Sequence, residues 1–391
     1  MDIGYRVLFL GSTGPETTDI WRILIERVRE LGLDPHRWLL YWSVSDFQAH
    51  KARGDVPLPL AVIYWGNPGF VDREEIEDVA QRGLPVFPVV SSDDKDSIRK
   101  ELPSDCQGFQ CSFRDQQDWQ DRLVNGILET FSLLRDRRRI FISYKRDETS
   151  AVAHQLFDAL NGIGYRTFLD TAEIVPGHDF QTVLMHQLMD SDLLVLLDSP
   201  NLGRSDWVKK ELDQAEDHGI GILRLTWPDN LSKLENWVFW QTENLPSSDF
   251  DDSEKLTRLV DGSINRILSK IERMRTQAVG RRMISLQGYC RDRAVSVGLV
   301  ALHFPNGLML QKAGKPSAWL RLVAGVPVSL DFYQLYQSLP DLNLLPSRVS
   351  LFFNSSGIDP FWKGHLDWLN RELPILSLDQ VALEEWLRGI P

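Results

Sequence analysis

Two spacings of hydrophobic residues alternate along this chain. Short apolar runs suited to buried strands end in polar or glycine-bearing loops, and stretches with an apolar residue every third or fourth position follow them. The pattern is clearest in the middle. Arg139-Ile140-Phe141-Ile142-Ser143 reads as a strand, and Val152, Leu156, Ala159, Leu160 and Ile163 as one helical face closed by Gly162 and Gly164. Thr167 to Leu169 is a short strand, Asp179 caps a helix carrying Phe180, Val183, Leu184 and Leu188, and Asp192 to Leu197 is a buried strand. A helix over Asp206–Asp217 and a strand over Gly221–Leu225 complete the series. Strands alternating with helices predict a parallel, doubly wound sheet.

The flanks repeat the theme less regularly. Arg6 to Leu10 is a strand that exits through Gly11-Ser12-Thr13-Gly14-Pro15 into a helix with Ile20, Leu24, Ile25 and Val28. Leu39–Trp42, Leu60–Trp65 and Pro85–Val90 are further strands, and a helix from about Asp115 to Arg137 reads as a connector. After the middle strands, the acidic, serine-rich stretch Ser247 to Ser253 leads into a long helix whose apolar face runs from Leu256 to Ile271. The basic run Arg273 to Arg282 reads as a boundary. Val297–Leu302, Val349–Phe353 and a helix around Leu383–Leu387 mark a last unit. The expected organisation is an α/β unit over 1–113, a linker helix over 114–138, a central domain over 139–275 and a C-terminal α/β unit over 283–391.

Composition narrows the function classes. Hydrophobic content of 43% and charged content of 25% are those of a globular protein. A net charge of −12 argues against general nucleic-acid binding, which needs clustered Lys and Arg. Three cysteines without CxxC spacing, Cys106, Cys111 and Cys290, support neither a disulfide framework nor a zinc site. The eight histidines fall in no metal-ligand spacing, so no metal is expected. Met1-Asp2-Ile3-Gly4-Tyr5-Arg6 lacks the features of a signal peptide, and no apolar run is long enough to span a bilayer, so the expected location is the cytoplasm.

Three linked motifs carry the chemistry. They are Phe141-Ile142-Ser143-Tyr144 with trailing Lys145-Arg146-Asp147, Phe168-Leu169-Asp170 leading to Pro176-Gly177, and Ser205-Asp206-Trp207 followed by Glu211-Leu212. Trp207 and Glu211, at i and i+4, share a helical face at the carboxyl edge of the sheet, where open α/β sheets bind ligands. In this order the motifs resemble a Toll/interleukin-1 receptor (TIR) domain, of the kind found in bacterial defence proteins and in NAD-cleaving TIR enzymes. The resemblance covers about Arg139 to Lys270. It implies a flavodoxin-like parallel sheet and a soluble NAD+ hydrolase acting in antiviral defence, with NAD+ as substrate and no cofactor. It also implies self-association through TIR domains.

By the same resemblance, Glu211 is the catalytic carboxylate. Phe141, Ser143 and Tyr144 line the cleft floor, Lys145 and Arg146 meet a pyrophosphate, and Trp207 stacks on a substrate ring. Asp170 to Asp179, with Gly177 as its bending point, forms a mobile loop over the site. Each assignment has a plainer counterpart: Glu211 a solvated helix residue, Trp207 a packing residue, Lys145 and Arg146 solvated loop charges. Some TIR domains only scaffold assemblies, so a non-enzymatic adaptor is the alternative function. A third reading gates the enzyme through a cyclic nucleotide held at Gly11 to Thr18, and an activating protein is a further candidate partner.

A strand, small polar loop, helix and second strand recur in all three units, around Ala61–Gly69, Leu194–Gly203 and Ser350–Gly357. Either the flanking units are degenerate relatives of the middle one, or any flavodoxin-like unit yields this pattern. Counting back eight residues from Gly83 and from Gly219 lands on Glu75 and Glu211, whereas the same count from Glu372 lands on Gly364. The first unit keeps a carboxylate but has Val71 where Trp207 stands, so if only one unit has chemistry the middle one is expected to carry it.

Overall fold

Runs that are apolar on both faces become the inner strands of three five-stranded sheets. The structure is a computed structural model and describes residues 4–169, 180–202, 206–228, 230, 234, 240–305 and 307–390. Two compact units divide the chain, Met1–Asp136 and Arg137–Pro391.

The first unit contains β1 (Tyr5–Gly11), α1 (Pro15–Glu30), α2 (Pro35–Trp38), β2 (Leu39–Trp42), α3 (Val44–Arg53) and β3 (Leu60–Trp65). It continues with α4 (Arg73–Gln81), β4 (Val86–Val90), α5 (Lys95–Glu101), β5 (Ser112–Phe113) and α6 (Trp119–Thr130). All strand pairs are parallel, in the order β2-β1-β3-β4-β5. Gly11 closes β1 at φ +86°, and a Cβ there would stand 2.2 Å from the Trp65 carbonyl oxygen, so this β1–β3 approach requires glycine. The helix read as a connector belongs to this unit. α6 buries Leu123, Val124, Ile127 and Leu128, and its Asp121 accepts a 2.7 Å hydrogen bond from Arg27 of α1.

The second unit holds two sheets. Its first comprises β6 (Arg139–Ser143), α7 (Arg146–Gly162), β7 (Arg166–Leu169), α8 (Phe180–Met189), β8 (Leu193–Asp198), α9 (Asp206–Asp217), β9 (Gly221–Thr226) and β10 (Trp240–Asn244). All its pairs are parallel, in the order β10-β9-β8-β6-β7. Read from the other edge, this is the strand order of the first unit. Alternate residues of β6 and β8 divide between two cores. Ile140, Ile142, Leu193 and Val195 face α7 on one side, and Phe141, Leu194 and Leu196 face α8 and α9 on the other.

α10 (Asp261–Ser296) runs unbroken for 36 residues through the segment read as a boundary. Its first half buries Ile267, Ile271, Met274 and Ala278 with β6, β8 and β9. Its second half buries Leu286, Cys290 and Ala294 in the core of the next sheet. The basic run is anchorage: Arg275, fully buried, donates to Asp192 at 2.8 Å, and Arg282 donates to the Met189 and Ser191 carbonyls at 2.7 and 3.3 Å. A Cβ on Gly221 would meet Ala278 Cβ at 2.7 Å, so glycine lets α10 lie close on β9.

The last sheet combines β11 (Val300–Phe304), β12 (Gly307–Lys312), β13 (Lys315–Leu322), α11 (Ser329–Gln337), α12 (Leu339–Leu342), β14 (Val349–Phe352), α13 (Pro360–Glu372), β15 (Leu376–Leu378) and α14 (Gln380–Arg388). β11, β12 and β13 form an antiparallel meander, and β13, β14 and β15 pair in parallel. The strand, loop, helix and second strand recur in all three sheets as β3-α4-β4, β8-α9-β9 and β14-α13-β15, each pair parallel, whereas the full strand order is shared by the first two sheets and the meander replaces the opening βαβ turns in the third.

Candidate functional site

The carboxyl end of β6 and the helix after β8 meet at one carboxylate. Ser143, the last residue of β6, is fully buried and donates a 2.6 Å hydrogen bond to Glu211 Oε2. Glu211 lies at the sixth position of α9 and is 1% exposed. It is held there by its helix neighbours Val208, Leu212 and Ala215, which pack against the sheet. A carboxylate taken so far from water must keep its hydrogen bonds. The structure thus excludes the reading of Glu211 as a solvated helix residue.

Further polar groups stand at the carboxyl edge of the same sheet. Lys145, at the exit of β6, donates to Glu148 at 2.6 Å. Glu148 also accepts from the Asn201 side chain at 2.9 Å and its backbone N–H at 3.4 Å, both from the loop after β8. Burial alone would raise the Glu148 pKa, but hydrogen bonds from Lys145, Ser199 and Asn201 outweigh it and hold it at about 2. Asp198, the last residue of β8, is fully buried and accepts from Arg224 Nε of β9 at 2.7 Å, and its carbonyl takes the Asn230 amide at 2.7 Å.

The other residues named from sequence are placed as follows. Phe141 is fully buried and stacks on Phe168 with ring centroids 5.4 Å apart, so it supports the site from beneath instead of lining a cleft. Tyr144 turns into the core shared with α7 and α10. Lys145 is committed to Glu148, and Arg146 is exposed at the start of α7. The Trp207 side chain, Asp170 and Gly177 lie outside the described residues. Glu148, Asp198, Asn201 and Arg224 escaped the sequence reading. Their signal was positional: Glu148, Asp198 and Asn201 stand on or just past a strand's carboxyl end or in the first turn of the following helix, and Arg224 is placed by its register opposite Leu196.

In the first unit the corresponding contact uses other groups. Gly11, at the end of β1, donates its backbone N–H to Asp72 Oδ2 at 2.8 Å, just before α4. Glu75, reached by the eight-residue count, instead accepts from Gln48 at 2.5 Å near the surface. The matching carboxylate is Asp72, one helical turn earlier, and its donor is a backbone N–H instead of a hydroxyl.

No set of three or more His, Cys, Asp or Glu among the described residues could hold a metal ion, and no described helix is long and apolar enough to cross a membrane. Residues 140–260 match the TIR domain family. No curated protein matches the chain. Among solved structures, the chain is similar to the TIR domains of the activated Roq1 resistosome that directly recognizes the pathogen effector XopQ, at 20% identity. That match covers 36% of this chain and 83% of that one, with a TM-score of 0.23. It is also similar to a Caulobacter myo-inositol binding protein, at 11% identity over 70% of this chain and 88% of that one, with a TM-score of 0.20. A LacI-family regulator from Weissella paramesenteroides with bound glucose matches at 11% identity over 68% and 91%, with a TM-score of 0.18.

Proposed function

From the premise that the middle third of the chain is a TIR domain, we propose that the protein is an NAD+ hydrolase whose catalytic carboxylate is Glu211. The observation that carries the reading is a buried glutamate at the carboxyl edge of a parallel sheet, fixed by the Ser143 hydroxyl. Cleavage of the nicotinamide–ribose bond develops positive charge at the anomeric carbon, as in glycoside hydrolysis. A carboxylate fixed in a dry site stabilises that charge without reorganising. Nicotinamide departs as a neutral base and needs little general acid. Water then adds to the ribose carbon, giving ADP-ribose and releasing a proton. Attack by a hydroxyl or ring nitrogen of the same molecule gives a cyclic product.

On this reading the protein is a cytoplasmic immune effector that works on assembly, TIR domain against TIR domain. Depletion of NAD+, or an ADP-ribose signal, is the antiviral output. The test is nicotinamide release by purified protein at high concentration, wild type beside E211Q. Turnover lost in the variant supports the hydrolase. Equal turnover in both moves the chemistry away from Glu211.

The burial of Glu211 favours one other reading, a scaffold in which the Ser143–Glu211 bond fixes α9 for partner binding. That reading predicts no turnover in either protein under any assembling condition, and loss of self-association in S143A.

A further inference from the structure

At the opposite end of the same strands lies a crevice that the proposed chemistry does not use. Arg139 and Arg166 are the first residues of β6 and β7, paired in register. Beneath α8 they open a cavity of about 250 Å³, walled by Phe168, Gln187 and Ser191. Ser143 stands four positions along β6 from Arg139, roughly 13 Å at the rise of a strand. The volume falls below the ~300–1,000 Å³ of pockets that enclose drug-sized ligands. A dinucleotide does not fit, whereas a phosphate group does.

The charge is unbalanced in the same sense. Arg139 lies 3.1 Å from the Asp190 carboxylate and donates to Gln187 Oε1 at 3.2 Å. Neighbouring Arg137 is served by Asp331 at 3.3 Å. Arg166 is exposed, and its guanidinium has no partner among the described residues. One guanidinium is thus left over at the mouth of a cavity that already holds another, on an aromatic floor. Two planar forks converging on a small concavity suit an oxyanion, which each can grip in two places.

We propose that this cavity is a binding site for a small phosphate-bearing anion, held by Arg139 and Arg166. The site reaches further than its walls. Asp190, the partner of Arg139, accepts the buried Val326 N–H at 3.0 Å, in the segment that joins β13 to α11. An anion that draws on Arg139 therefore acts on the carboxylate fastening the third sheet to the end of α8. This inference stands apart from the chemistry at Glu211.

The test uses the full chain, titrated with inorganic phosphate or with ribose 5-phosphate at constant ionic strength, with chloride as control and binding read by calorimetry. Wild type is expected to bind at least one of the two saturably. R166Q is expected to bind at least tenfold more weakly while melting at the wild-type temperature without ligand. R166K, which keeps the charge and loses the fork, is expected to fall between. E211Q is expected to bind like wild type. A preference of tenfold or more for ribose 5-phosphate assigns the site to the phosphate group of a larger ligand, and equal affinity assigns it to free phosphate. No saturable binding of either anion, or R166Q binding as tightly as wild type, overturns the proposal.

Discussion

The Ser143 hydroxyl and the Glu211 carboxylate, 68 positions apart in the chain, meet at 2.6 Å inside the protein. The strand end supplies the donor and the helix supplies the acceptor. S143A deletes that donor from a buried carboxylate. The expected cost is about 1–3 kcal/mol, the penalty for leaving a buried polar group short of a partner. Urea unfolding of S143A against wild type measures it, and a change below a few tenths of a kcal/mol would show that other groups hold Glu211 in place.

Arg275 and Asp192 form an ion pair with both side chains fully buried. Removing one partner strands the other charge in the core, so R275M is expected to lose about 3–5 kcal/mol. R275M/D192L, which removes both charges, is expected to recover part of that loss. A double variant no more stable than R275M would mean that Asp192 has another indispensable role, which its 3.3 Å bond from the Arg139 backbone N–H would supply.

His186 gives the second unit a pH dependence. Burial pushes its pKa below 6.5, against Asp190 and Asp359, which raise it, while Arg139 lowers it further. Its Nδ1 stands 3.3 Å from the Asp359 backbone N–H and accepts from it when unprotonated. The folded state therefore favours the neutral ring. Its contribution is fully present above the unfolded pKa of about 6.5 and is lost as pH falls from there through the folded value. His218, also lowered chiefly by burial, adds in the same direction. Unfolding free energy measured from pH 8 to pH 5 is expected to decline below about pH 6.5, and H186N is expected to flatten part of that decline. A curve of equal slope in H186N would assign the acid sensitivity elsewhere.

Two glycines of the first unit separate backbone strain from steric contact. Gly54 sits at φ +73° with nothing near a prospective Cβ, so G54A is expected to cost about 1–2 kcal/mol from the left-handed backbone. Gly11 sits at φ +86° with the Trp65 carbonyl oxygen 2.2 Å from that Cβ, and backbone cannot swing aside as a side chain can. G11A is expected to add about 1–3 kcal/mol of overpacking to the same strain. Equal midpoints for G11A and G54A in thermal unfolding would show that β1 and β3 can separate freely.

Local pattern sufficed wherever local pattern decides the structure. The runs at Leu60–Trp65 and Leu193–Leu197 became strands because an apolar run buried on both faces has few alternatives. Asp206–Asp217 became a helix at its predicted bounds. The misses depended on distant partners. The run holding Arg275 and Arg282 reads as a boundary because their partners, Asp192 and the carbonyls of Met189 and Ser191, lie some ninety residues away. β12 and β13 escaped notice because Lys315-Pro316-Ser317 gives the hairpin a polar, irregular start and the register slips between Leu310 and Gln311. At the site, Glu211 was legible from the motifs around it. Glu148 and Asp198 were not, because an acidic residue near a strand end takes its meaning from what folds against it.

The unbroken course of α10 bears on how this protein can be dissected. Its 36 residues extend on the order of 50 Å, and both sheets of the second unit rest on it. Ending the chain inside the basic run would bare the groove that Ala278 fills over Gly221 and release the turn that Arg282 grips after α8. Activity lost from such a fragment would report a broken foundation, not a missing activator. The honest minimal piece for biochemistry is the whole of Arg137–Pro391.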